Sequence, residues 1–336
     1  MIAVLAVVLA VALGGGIYLA ARASAGSPGH AAAGRSPRVK AAGASPSPSV
    51  PPHPSGGLGN YQVVERRFTF TEDRSGLGTR VLPVIVRYPN RGPTSASASG
   101  PAGAGSFPLV VFAPGYRQCS ASYSILLREW ASAGYVVAAV NFPRTNCHLA
   151  SPDESDLVNQ PADLAFVIRQ LDQMSSQPEG PLAGLVNASK VAVAGHSDGG
   201  DTVVAMAGMS CCQYPGLSAA IVLAGAEWPA FTGTWFTGAT PPMLFVQGTA
   251  DTWNPQAASL QLYRADQSGT RYYLQLTGAD HFTPYEGDSA PEPIVARVTI
   301  SFLDHYLAGD DGTLSAMRRA GQVPGVSELV SGEQLP

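Results

Sequence analysis

The sequence predicts an α/β fold: a mostly parallel central sheet of about eight strands, helices on both faces, and no large cap domain. Three observations point there. Apolar runs alternate with helical patterns along most of the chain. Many of those runs are apolar at every position rather than at every second one, the mark of strands covered on both faces. The residues able to do chemistry collect where the runs end, which is where open α/β sheets form their sites.

The chain has 336 residues, 45% hydrophobic and 13% charged, with a net charge of −4. That is enough to bury a large core. Lys40 and Lys190 are the only lysines and no basic cluster forms, so no nucleic-acid partner is expected. From Ile2 to Ala21 the chain is apolar and uncharged over about 20 residues, just enough to span a bilayer. Small residues between Ala21 and Ala25 offer cleavage patterns, so 1–23 reads as a signal peptide. No basic stretch precedes the segment and Arg22, Arg35, Arg38 and Lys40 follow it, which keeps a membrane tether through residues 2–21 open. Both readings expect a protein that is secreted or attached to the cell envelope. Residues 24–57 are Ala, Gly, Ser, Pro and little else, a composition unable to offset its own ordering entropy, and are expected to form a disordered tether. One catalytic domain at 58–308 and a tail at 309–336 remain.

Within the domain, VVERRFTF (63–70) and TRVLPVIVRYP (79–89) read as two antiparallel strands, and PLVVFAP (108–114) as a buried strand broken by Pro-Gly. The helix at 122–134 closes on Gly134. A strand at 135–143 and a helix at 161–174 follow, the latter with Pro161 in its first turn. KVAVAG (190–195) is a strand and 198–209 a helix, with strands at 218–226 and 241–248 after them. A helix at 255–265, a strand at 271–278 and an amphipathic helix at 293–309 complete the pattern.

Four strand exits carry chemistry. Gly195-His196-Ser197-Asp198-Gly199 leaves KVAVA. A serine on so sharp a turn needs neighbours without bulk, which Gly195, Gly199 and Gly200 supply. Asp251 lies just past MLFVQG and His281 past YYLQLTG. The order Ser197, Asp251, His281 suits a nucleophile, an orienting acid and a general base. Asp280 is a rival acid, but adjacency to His281 is the wrong geometry to orient an imidazole. The other histidines lie in the tether, on the elbow (His196), in a loop, or in the terminal helix. The fourth exit is PLVVFAPGYRQ, where the N–H of Tyr116, paired with that of Asp198, would make a two-donor oxyanion hole.

These pieces bring a resemblance. FAPGYRQ with ASAGYVVAAVNF downstream, GHSDGG, VQGTADTWNP and GADHFTP, in this order over about 105–308, resemble the α/β-hydrolase branch of dienelactone hydrolases, platelet-activating-factor acetylhydrolases and cutinase-like polyester hydrolases. The resemblance implies a serine esterase, with Tyr116 as both oxyanion donor and aromatic clamp and Trp228 as the opposite wall. Trp228 as plain core stays open. Trp253, two residues past Asp251, is a weaker candidate for the cleft lining, and Trp130 at helical spacing is core. The cutinase-like members usually carry Met or another apolar residue where this chain has Asp198. A carboxylate there is expected to disfavour bulky aromatic diacid groups, so polyester degradation is not expected.

Four cysteines, Cys119, Cys147, Cys211 and Cys212, fit an oxidising compartment. Cys119 and Cys147 both follow strand exits on one rim, so the topology favours a bridge between them over the other pairings. No ligand spacing suits a metal, and the chemistry calls for no cofactor. The connections at 141–160 and 225–240 are too short for a cap, so an open cleft is expected. The expected protein is a monomer hydrolysing an ester through an acyl-enzyme. Acyl transfer or peptide cleavage by the same triad, and a non-catalytic surface-binding module on the same fold, are the alternatives.

Overall fold

In the computed structural model, which describes residues 59–90, 106–267 and 269–336, nine strands form a single sheet ordered β1-β2-β4-β3-β5-β6-β7-β8-β9. β1 (Val63–Arg74) and β2 (Gly78–Pro89) form the expected antiparallel hairpin, with Val63 opposite Pro89. β2 also pairs antiparallel with β4 (Val136–Val140). The parallel centre then runs through β3 (Phe107–Ala113), β5 (Val186–His196), β6 (Leu217–Leu223), β7 (Met243–Gly248) and β8 (Arg271–Leu276). β3, β4 and β7 are buried at every position, as strands covered on both faces should be.

The two cores sit on opposite faces of the sheet. Successive residues divide between them: Leu109 and Val111 face one, Val110 and Phe112 the other. The first core takes residues from α2 (Gln160–Ser175), α3 (Asp198–Gly208) and α4 (Gln256–Ala265). The second takes residues from α1 (Ser124–Ser132), α5 (Glu292–Leu303) and α6 (Thr313–Gly321). Trp130 of α1 is buried there, as expected of core, and its indole N–H donates to Thr299 Oγ1 at 2.8 Å. Gly134 follows α1 with φ +114°, the left-handed stop its position predicted.

The segment beyond 308 departs from expectation. Residues 309–336 are not a tail: they supply α6 and β9 (Ser327–Ser331), which pairs antiparallel with β8. β8 is largely buried and would otherwise be a bare edge, and β9 covers it. The ninth strand escapes the sequence pattern because SELVS offers only a short alternation between turns. The leader (1–23) and the tether (24–57) lie outside the described residues. Among the described residues no helix is long and apolar enough to cross a membrane.

Candidate active site

Ser197 sits on the turn between β5 and α3 with φ 54° and ψ −124°, a conformation non-glycine residues rarely adopt. The neighbours make it possible. A Cβ on Gly195 would collide with the Gly199 carbonyl, and one on Gly199 with the Ala113 carbonyl of β3. Ser197 N–H donates to Leu223 O at 2.9 Å and Asp201 N–H to Ser197 O at 3.0 Å, tying the turn to β6 and to its own helix.

The structure brings Ser197, His281 and Asp251 together. His281 Nε2 lies 2.9 Å from Ser197 Oγ and His281 Nδ1 lies 2.7 Å from Asp251 Oδ2. Asp251 is held by more than the imidazole. Its Oδ1 accepts the N–H groups of Trp253 at 2.8 Å and Asn254 at 2.9 Å, and its Oδ2 accepts from Gln247 Nε2 at 2.9 Å. A carboxylate only accepts, so Nδ1 of His281 carries the hydrogen and Nε2 presents a lone pair to the serine hydroxyl. Asp280 is not an alternative orienting acid. Its Oδ1 accepts from Phe282 N, Thr283 N and Thr283 Oγ1, which caps the following turn.

The Pro114-Gly115 break places its loop against the nucleophile. A Cβ on Gly115 would lie 3.1 Å from Ser197 Cβ and 3.3 Å from His196 O. Gln118 N–H closes a turn onto Gly115 O at 3.1 Å, with Tyr116 inside it and Arg117 at φ 60°. The Tyr116 hydroxyl donates to Pro152 O at 3.0 Å. Burial, followed by the charge of Glu154 and opposed by that of Arg117, pushes its phenol above the ordinary value. Cys119 and Cys147 are bridged, joining this loop to the one that leaves β4. Cys211 and Cys212, left open by the sequence, are bridged to each other beyond the end of α3.

The two flanking tryptophans differ. Trp228 is half-buried against a small cluster of Leu157, Ala205, Met209 and Phe231. Trp253 is 59% exposed and stacks on the His281 ring, with centroids 6.2 Å apart and planes 24° from parallel. The sequence favoured Trp228 over Trp253 for the cleft, Trp228 having a family counterpart, while Trp253 is the one that stacks on His281.

Around the proposed triad, Gln247, Asn254 and Tyr123 escaped notice, and His196 was placed on the elbow without a role. Gln247 lies one residue before the end of β7, and its amide bridges Asp251 and the carbonyl of Asn254, the latter at 2.9 Å. Asn254 in turn donates to Ala224 O at 2.6 Å. For Gln247, polarity within the apolar run MLFVQG was the available signal, since buried polar groups are kept where they are hydrogen-bonded.

Comparison with known proteins agrees with this geometry. The family model described as PET hydrolase-like matches residues 92–317. Cutinase 2 of Thermobifida cellulosilytica is 27% identical over 255 residues, covering 75% of this chain and 82% of that protein. Cutinase 1 of the same organism is 27% identical over 208 residues, 61% of this chain and 70% of that protein. The bis(hydroxyethyl) terephthalate hydrolase of Streptomyces coelicolor is 29% identical over 212 residues, 61% of this chain and 59% of that protein. The nine-stranded mixed sheet and the match over two-thirds of the length agree: the chain belongs to the PET hydrolase-like family and is a serine carboxylic ester hydrolase of the α/β-hydrolase fold.

Proposed function

We propose that Ser197, His281 and Asp251 form the catalytic triad and cleave an exposed, extended ester through an acyl-enzyme. The observation that carries this reading is the in-line contact of Ser197 Oγ, His281 and Asp251, at 2.9 and 2.7 Å. His281 Nε2 takes the serine proton as Oγ attacks the ester carbonyl, and Asp251 stabilises the imidazolium that forms. The tetrahedral oxyanion is held by the N–H groups of Tyr116 and Asp198. Collapse expels the alcohol, which leaves with the proton from His281. A water then loses its proton to His281, attacks the acyl carbon and releases the acid, and Ser197 regains its hydrogen.

Tyr116 and Trp228 line the substrate cleft, and the absence of any helix between β6 and β7 supports a cleft without a cap. Asp198 beside the nucleophile disfavours bulky aromatic diacids, so aliphatic esters are the better substrates. Two disulfides support a secreted protein. The test is turnover of a short p-nitrophenyl ester by Ser197→Ala. Activity should fall by about a million-fold while the fold is kept, as loss of a triad nucleophile does. Undiminished turnover would refute the assignment.

A further inference from the structure

A buried hydrogen-bond chain runs behind the nucleophile, outside the triad. The Gly115 N–H donates to the Tyr123 hydroxyl oxygen at 3.2 Å. That hydroxyl lies 2.9 Å from His196 Nδ1, and His196 Nε2 lies 2.8 Å from the main-chain oxygen of His281. Proton counting gives the chain one direction. A carbonyl only accepts, so His196 Nε2 carries a hydrogen and donates it. Burial, with the His281 ring close by, holds the His196 imidazole well below its ordinary pKa, so the ring is neutral and Nδ1 keeps a lone pair. The Tyr123 hydroxyl faces two acceptors, His196 Nδ1 at 2.9 Å and the Glu286 carboxylate, and its hydrogen completes the chain when directed at Nδ1.

The ends of this chain matter. Gly115 immediately precedes Tyr116, the proposed oxyanion donor, and His281 is the proposed base. His196, in the middle, is bonded to Ser197. Tyr123 and His196 are both fully buried, and the His196 ring packs on the His281 ring with centroids 4.7 Å apart. No sequence proximity holds the Gly115 loop at its distance from the His281 loop. The side chains of Tyr123 and His196 do.

We propose that Tyr123 and His196 are positioning residues, which fix the oxyanion loop and the His281 main chain at a set separation across the nucleophile. The assignment rests on the triad reading above. A misplacement of about 1 Å between reacting groups costs about 100-fold in rate, so a strut of this kind acts on kcat. Neither buried side chain lines the cleft itself, so the larger effect falls on kcat rather than on KM.

Tyr123→Phe tests this by removing one oxygen and keeping the ring that packs on Phe112. Rates are taken on a short p-nitrophenyl ester, per folded molecule, with circular dichroism as the folding control. The expected result is a kcat lower by about 10- to 100-fold with KM changed by less than about twofold. His196→Gln keeps one amide donor and one acceptor, and it should retain at least about tenfold more kcat than His196→Leu. A folded Tyr123→Phe with wild-type kcat, or equal kcat in the two His196 variants, overturns the proposal. If Tyr123→Phe does not fold, the His196 pair decides. If none of the three folds, the residues are scaffold and the positioning role is overturned. Ser197→Ala run alongside separates the two failures: activity surviving there refutes the triad itself, whatever Tyr123 does.

Discussion

Asp251 shows how much a single carboxylate can organise: its two oxygens gather Gln247, Trp253, Asn254 and His281. The three residues of the proposed triad could be picked out because each stands where an apolar run stops. Their supports could not. Gln247 lies inside a strand and Tyr123 beside a helix start, and they acquire meaning only through partners far away in sequence. Asp198 was legible as an odd residue, and its consequence is measurable. Asp198→Met is expected to raise kcat/KM for a benzoate-type ester relative to a butyrate by about tenfold, a size typical of altered pocket contacts. Competition assays with the two esters check it, and an unchanged ratio would detach Asp198 from specificity. Glu286 supplies a pH signature. Burial pushes its carboxyl up from an ordinary 4.5 to about 6. A raised carboxyl favours the folded state below its unfolded value, and that contribution is lost as pH rises through the folded one. Glu286→Gln mimics the protonated form. Its thermal midpoint should therefore match wild type near the lower value and exceed it at neutral pH; a gap that stays flat would contradict the burial effect.

At the scale of elements, the strands and helices were read from period and punctuation, and the hairpin, the elbow helix and the parallel centre all appear. The connection from β4 to α2 was not. It holds a short 3₁₀ turn, Glu154–Asn159, capped by Asp153 accepting from Ser155 N at 3.1 Å. What pins it is Arg80 of β2, whose guanidinium donates to Asp156 at 2.8 Å from both terminal nitrogens and to Asp163 of α2 from Nε at 2.7 Å. All three side chains are buried. No local pattern announces such a contact, because an arginine in a two-stranded ribbon reads as a solvated face until the partner helix is known. Removing one member of a buried ionic cluster leaves uncompensated charge. Arg80→Ala should lower the unfolding free energy by about 3 to 5 kcal/mol in urea titration. A loss below about 1 kcal/mol, the value of an exposed pair, would mean the cluster is solvated.

For the whole molecule, the instructive departure is the last segment. Residues 309–336 looked dispensable, yet Met317 and Leu329 belong to the second core and β9 completes the sheet. Deleting 309–336 should leave an aggregating chain with no cooperative melt, since it strips the cover from β8. A soluble, active truncation would show that β8 tolerates an open edge. The bridge between Cys119 and Cys147 acts at the same scale by closing a loop of 28 residues between two rim segments.

The most direct measurement of the central claim is the site of covalent capture. Wild-type protein is treated with a fluorophosphonate, digested, and mapped by mass spectrometry, with His281→Ala in parallel. The account requires one adduct per chain, on the peptide carrying Ser197, and a strongly slowed reaction in the His281 variant. An adduct elsewhere, or full ester turnover by protein that takes no label at Ser197, would contradict it.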